Sequence, residues 1–143
     1  DEAFREQLYQ IGGDKSENWL EIPGNKPFVE VIQEMKSCGV FVLPSYSEGF
    51  PNVILESMAC GCSIVTTAVG AMPEMLDIEG DRPCGICVPV KDVSSLRNAI
   101  VDLLGDTVKA KALGMNARNR VIERYSIPEV WKQLVGVWTD IQN

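Results

Sequence analysis

The chain alternates amphipathic stretches with short runs that are apolar throughout. Phe4, Leu8 and Ile11 recur at helical spacing, and Gly12-Gly13 closes the pattern. Asn18 to Ile22 offers a short, poor strand before Pro23-Gly24. Phe28, Val29, Ile32 and Met35 predict a second helix. Val40-Phe41-Val42-Leu43 is a continuous apolar run of strand length, and Pro44 to Phe50 reads as loop. A helix from Asn52 to Ala59, closed by Gly61, leads to the β-branched strand Ser63 to Thr67. Gly70 to Pro73 reads as a turn, with a helical turn near Glu74 to Leu76. Ile86-Cys87-Val88 is a third strand. Asp92 suits the N-cap of a helix carrying Val93, Leu96, Ile100 and Leu103. A charged amphipathic helix is predicted from about Thr107 to Tyr125, and Pro128 opens a last helix through Ile141.

Strands 40–43 and 63–67 have no polar face, as expected of a parallel sheet covered on both sides. The predicted class is α/β, a Rossmann-like parallel sheet flanked by helices, with residues 1–143 as a single domain. Sheets of this kind bind ligands at the C-terminal ends of their strands, which selects the loops after Leu43 and Thr67.

Charge narrows the partners. Thirteen Lys and Arg against 20 Asp and Glu give a formal net charge of -7. That balance repels phosphate backbones and anionic lipid, so nucleic acid is not an expected partner. No apolar run is long enough to span a bilayer, and no signal peptide is expected in the charged opening segment. Because the pattern opens inside a helix without an initiator Met, the chain reads as an N-terminally truncated fragment. The five cysteines, Cys38, Cys60, Cys62, Cys84 and Cys87, are odd in number, and three lie in apolar stretches. Reduced thiols in the cytoplasm are expected. Cys60/Cys62 and Cys84/Cys87 raise zinc as a competing reading. The one-residue gap in the first pair is unusual for a structural site, so no metal is expected.

The loop after Leu43 carries the candidate chemistry. It runs Pro44-Ser45-Tyr46-Ser47-Glu48-Gly49-Phe50-Pro51 and enters a helix at about Asn52. The first amides of a helix lack intrahelical partners and sit at its positive end, so they hold a phosphate without a basic side chain. Glu48 and Glu56 flank that position. Ionised carboxylates beside a phosphate site make sense as acceptors for the vicinal hydroxyls of a sugar ring and a ribose. Their alternative is a pair of solvated charges at a helix end. In the second loop, Val69-Gly70-Ala71-Met72-Pro73-Glu74, Gly70 permits a tight turn and close approach of backbone to a ligand.

The run from Val40 to Gly61, with Glu48 and Glu56 separated by seven residues, resembles the donor-site motif of retaining glycosyltransferases of family 4, which have the GT-B fold. Ser63 to Glu74 is similar to that family's next strand and loop. Gly85-Ile86-Cys87-Val88-Pro89, Asp92, Leu96, Ala117-Arg118 and Tyr125-Ser126 continue the likeness in order. The resemblance implies one half of a GT-B enzyme that takes a UDP-sugar or GDP-sugar as substrate, with no other cofactor. It assigns Glu48 a catalytic place on the donor-sugar hydroxyls and Glu56 the ribose. Amides of Gly49 and Phe50 would approach the sugar, and those of Asn52, Val53 and Ile54 the diphosphate. Gly70 and Ala71 would close the pocket, Ala71 standing where a second glycine is common. Residues near Pro23-Gly24 would lie beside the base.

By the same resemblance, the partners are the nucleotide-sugar and a missing N-terminal acceptor domain. The family's upstream Arg and Lys and its usual catalytic histidine have no counterpart here; the sequence contains no His. The fragment is therefore expected to bind donor without transferring sugar. The setting implied is cytoplasmic synthesis of cell-surface polysaccharide, with peripheral membrane association of the full-length enzyme. Competing readings are an epimerase or phosphorylase of the same fold and a non-catalytic nucleotide-sugar sensor. Trp131, Leu134, Trp138 and Ile141 form a stripe that reads as core, or as a face exposed in the fragment and prone to self-association. Arg118 and Arg120 read as partners in surface pairs.

Overall fold

The computed structural model describes residues 2–13 and 19–141, with side chains through Thr139. Its chain forms two compact units, residues 1–31 and 32–143. In the first unit, α1 (Glu2–Gly12) contains no buried residue. The expected strand at Asn18 to Ile22 does not form over Trp19 to Ile22, which is irregular; Asn18 lies outside the described residues. The segment lacks sustained alternation, and Pro23 cannot donate to a ladder. α2 (Phe28–Ser37) starts in this unit and buries Met35 in the second.

The second unit holds a parallel sheet in the order β1 (Phe41–Leu43), β2 (Ile64–Thr67), β3 (Ile86–Val88). Phe41 pairs with Ile64 and Leu43 with Thr66; Val65 pairs with Ile86 and Thr67 with Val88. Every residue of β2 is buried, as its unbroken apolar and β-branched pattern requires of a central strand. Val40 and Ser63 fall just outside the ladders, although the Phe41 amide still donates to the Ser63 carbonyl at 2.8 Å.

Helices α3 (Asn52–Cys60), α4 (Met72–Met75), α5 (Val93–Gly105) and α6 (Thr107–Arg120) complete the α/β unit. Val65, Val88, Ala99, Leu103 and Leu113 join the sheet to α5 and α6 in one apolar cluster. α3 ends on Gly61, whose φ of 76° is left-handed. Amides of Gly61 and Cys62 close the last turn onto the carbonyls of Met58 and Ser57. α4 begins two residues earlier than the expected turn because Pro73 is accommodated in its first turn, where a missing N–H costs nothing. The helix expected to Tyr125 is α-helical only to Arg120 and widens into a π-helical turn, Val121–Tyr125, before the extended Ser126.

Arg120 is more than a surface pair. It meets Asp77 at 3.0 Å and donates to the carbonyls of Met75 and Glu74 at 2.9 and 2.8 Å, closing the end of α4 from 45 residues away. Arg118 likewise donates to the Ala59 carbonyl near the end of α3. In α7 (Ile127–Ile141), Trp131, Leu134 and Trp138 are 59%, 44% and 60% exposed, so this stripe is not core in the chain described. The Ile141 side chain lies outside the described residues.

Asp92 caps α5 by accepting from the Ser95 amide at 2.9 Å and the Ser95 hydroxyl at 2.7 Å. These bonds favour the ionised form and hold its pKa below the usual aspartate value. A depressed folded-state pKa adds stability above the unfolded value and forfeits it as pH falls through the folded one. Asp92→Asn keeps a capping oxygen without a charge. The melting-temperature difference between wild type and Asp92→Asn is therefore expected at pH 7 and should shrink as pH drops below about 4. Calorimetry across that range checks it; a difference constant with pH would contradict the assignment.

Candidate functional site

β1 delivers the chain to the loop of residues 44–51 at the carboxyl end of the sheet, and α3 carries it away. Two buried threonines of β2 fasten the start of this loop. Thr66 donates through its hydroxyl to the Leu43 carbonyl at 2.8 Å, and Thr67 to the Ser45 carbonyl at 2.5 Å. Hydroxyls thus continue the β1–β2 connection past the last backbone pair.

Glu48 is half-buried, and its carboxylate accepts a 2.7 Å hydrogen bond from the Ser45 hydroxyl. The backbone at and just after it is fixed by the second loop. Gly70 has φ of 55°, and a Cβ there would stand 2.1 Å from the Glu48 carbonyl oxygen and 2.7 Å from that of Gly49. The Ala71 amide donates to the Gly49 carbonyl at 3.0 Å. The two loops selected from the sequence therefore form one packed structure. Gly70 and Ala71 contact the Glu48-Gly49 backbone, so the Ala71 amide is already engaged.

Pro51 precedes α3 in an extended conformation with no side-chain cap, and no acidic residue occupies the first turn. The Ile54 amide donates to the Pro51 carbonyl at 3.1 Å, and Ile54 is fully buried. Among the described residues, no acceptor takes the amides of Asn52 and Val53. Of the three amides expected to face a diphosphate, these two remain available at the positive end of the helix. Asn52 is exposed and Val53 half-buried. Glu56 is half-buried in the second turn of α3 and has no hydrogen-bond partner among the described residues.

Gly49 is exposed, and Phe50 is 51% exposed with its ring meeting Tyr125 edge-on at 5.8 Å. The π-helical turn after α6 therefore ends against the donor-loop candidate. Tyr46, 70% exposed, lies under the Lys91 ammonium at 5.9 Å. A cavity of about 80 Å³ between Pro44, Tyr46, Thr67 and Lys91 sits beside the loop. It is too small to enclose a nucleotide-sugar, since ligand pockets run to roughly 300–1,000 Å³. Pro23 and Gly24 belong to the first unit, in an irregular segment with Gly24 at φ of 73°.

Sequence reasoning missed the contacts of Ser45, Thr67 and Tyr125, the last of which entered only through the family likeness. Ser45 had a signal, because a hydroxyl three residues before a glutamate is spaced for a local hydrogen bond. Thr67 and Tyr125 had none, since their partners follow from strand register and from the path of the chain after α6.

The cysteines differ in their surroundings. Cys62 and Cys84 are buried, Cys60 and Cys87 half-buried and Cys38 exposed. Cys62 faces Cys38 at 3.9 Å between sulfurs, and burial with this neighbour pushes its thiol up to about 12. Burial also pushes Cys87 up to about 11. Such thiols are poor nucleophiles and poor ligands at neutral pH. Among the described residues, no three of Cys, Asp and Glu cluster as a metal site would require. No described helix is long and apolar enough to cross a membrane.

Comparisons with known proteins identify the family and the fold. Residues 3–106 match the family model for "Glycosyl transferases group 1". The chain is 34% identical over 99 residues to an uncharacterized glycosyltransferase, MJ1178, of Methanocaldococcus jannaschii, covering 69% of this chain and 27% of that protein. It is 31% identical to the capsular polysaccharide biosynthesis glycosyltransferase CapM of Staphylococcus aureus, covering 95% of this chain and 38% of that protein. It thus spans about a third of the length of such relatives. Sucrose-phosphate synthase of Thermosynechococcus elongatus superposes with a TM-score of 0.80 at 26% identity, covering 97% of this chain and 34% of that one. Anabaena HepE, solved in complex with UDP, shares the fold with a TM-score of 0.82 at 22% identity, covering 97% and 37%. With a family match across most of its length and a GT-B neighbour over nearly all of it, the chain belongs to the group 1 glycosyl transferases.

Proposed function

We propose that this chain is the donor-binding part of a retaining glycosyltransferase and holds a nucleotide-sugar through the loop of residues 44–51 and the start of α3. The observation that carries the reading is the pairing of two unengaged amides, Asn52 and Val53, with two half-buried carboxylates, Glu48 and Glu56. The amides suit the diphosphate. Glu56 suits the ribose, and Glu48 the hydroxyls of the transferred sugar. As the sugar–phosphate bond breaks with oxocarbenium character, charge grows on the leaving diphosphate, and amides already aimed at it stabilise that change. An acceptor then attacks from the face the diphosphate leaves, so the anomeric configuration is kept.

Support for a nucleotide-sugar comes from HepE, which shares the fold and was solved with UDP and with UDP-glucose. The acceptor site and the cations that neutralise the leaving group belong to a part of the enzyme outside this chain. On this reading the complete enzyme builds a cell-surface glycan in the cytoplasm or at the inner face of the membrane. The present chain binds donor and does not turn over.

Calorimetric titration with UDP, UDP-glucose, GDP and GDP-mannose tests this. One pair should bind with an affinity of roughly 0.1–1 mM. Glu56→Ala should weaken both members of that pair about tenfold, as expected for lost charge-assisted bonds. Absence of binding by all four would refute the reading, and turnover by the isolated chain would refute its inactivity.

A further inference from the structure

We propose that Ser45 and Thr67 are positioning residues that fix the Glu48 carboxylate in one orientation, so that β2, rather than α3, sets how the site reads the sugar. This inference rests on the donor-binding reading above. It adds two residues to it and makes the hydroxyl of Ser45 a determinant of sugar recognition.

The argument begins with what a free glutamate would do. A half-exposed Glu on a loop has three side-chain torsions and explores several rotamers, and holding one of them for a ligand costs affinity. Here one carboxylate oxygen, Oε1, is taken by Ser45 Oγ at 2.7 Å. That leaves Oε2 and the remaining lone-pair direction of Oε1 for sugar hydroxyls. A serine that positions a carboxylate must itself be positioned. The Ser45 carbonyl accepts from Thr67 Oγ1 at 2.5 Å, and Thr67 is 4% exposed in the central strand. The relay therefore runs from a buried strand residue to the Ser45 main chain, then through the Ser45 side chain to Glu48.

The main chain of Glu48 is held independently. Gly70 packs on its carbonyl, and the neighbouring Gly49 carbonyl accepts the Ala71 amide at 3.0 Å. Removing the Ser45 hydroxyl therefore releases the carboxylate while the loop backbone keeps its other ties. This separates a positioning role from a merely structural one.

The experiment compares Ser45→Ala, Ser45→Thr and Thr67→Val with wild type. The first readout is the sugar increment: the ratio of the UDP and UDP-glucose dissociation constants, or of the GDP and GDP-mannose ones. Ser45→Ala should lower this ratio about 3- to 10-fold with little change for the nucleoside diphosphate alone, as expected for loss of one organised carboxylate contact. Thr67→Val should lower it less, and Ser45→Thr should restore it. The second readout needs no ligand. A high-resolution crystal structure of Ser45→Ala should show residues 44–51 unmoved and the Glu48 side chain spread over more than one rotamer. A single unchanged Glu48 rotamer there would overturn the inference whatever the ligand. If wild type gains from the sugar and Ser45→Ala gains as much, the inference also fails while the donor-binding reading stands. If wild type binds none of the four ligands, the underlying reading falls and takes this one with it.

Discussion

Replacing Gly70 by alanine should cost about 2–4 kcal/mol of stability, from left-handed backbone strain together with overpacking. The added Cβ would meet the Glu48 carbonyl oxygen at 2.1 Å, a separation that real Cβ atoms do not tolerate. Backbone faces it, so no side chain can swing aside. Relief requires moving the loop after β2 away from the loop after β1, which breaks the Ala71 to Gly49 hydrogen bond of 3.0 Å. On the donor-binding reading, the variant should lose that binding along with stability. Urea unfolding and titration of the same sample give both quantities. A stability loss below about 0.5 kcal/mol, the scatter of ordinary surface changes, would show that the two loops separate freely and would undo the site as described.

The second large effect is a contrast between two helical glycines. Gly114 lies in α6, buried against Gly61 at the end of α3; a Cβ there would stand 2.2 Å from the Gly61 carbonyl oxygen. Gly136 lies in α7 with nothing within 4 Å of the corresponding point. Helix propensity favours alanine over glycine by about 1 kcal/mol at either place. At Gly136 this gain stands alone, and Gly136→Ala should be neutral to stabilising. At Gly114 the overpacking term of about 1–3 kcal/mol opposes the gain and outweighs it, because the backbone of both helices must separate. Gly114→Ala should thus be destabilising, with α3 and α6 forced apart at the end opposite the candidate donor amides. Equal shifts for the two variants, measured by thermal unfolding, would mean that the α3–α6 contact is slack.

The legibility of the fold followed the range of the forces involved. β2 stood out because a central parallel strand must be covered on both sides, and β1 because no polar residue interrupts Phe41 to Leu43. α3 was readable from its closing Gly61, and α5 from Asp92. Trp19 to Ile22 misled because a few apolar residues near a turn look like a strand when no partner strand is specified. The π-helical end of α6 was hidden, since its residues carry good helical periodicity up to Tyr125. In the site, Glu48 and Glu56 were visible through a spacing that a single loop and helix impose. What holds Glu48, and what closes the elements around it, was not. Thr67 meets Ser45 only because Leu43 pairs with Thr66, and Arg120 closes α4 only because α6 returns across it. Gly70 was correctly read as permitting a turn, but its neighbour is the Glu48 carbonyl, and that contact belongs to the packed pair of loops.

The hydroxyls of Thr66 and Thr67 that extend the β1–β2 connection also tie the order of the first residues of the 44–51 loop to the central strand. Their freedom is reduced in the folded chain before any ligand arrives, because the acceptors at Leu43 and Ser45 are reached from buried residues of that strand. An arriving nucleotide would then meet a surface whose conformational entropy has already been lost, and more of each new contact would appear as affinity. The corollary is a shared fate: on the donor-binding reading, whatever loosens the middle of the sheet also loosens the surface that meets the ligand.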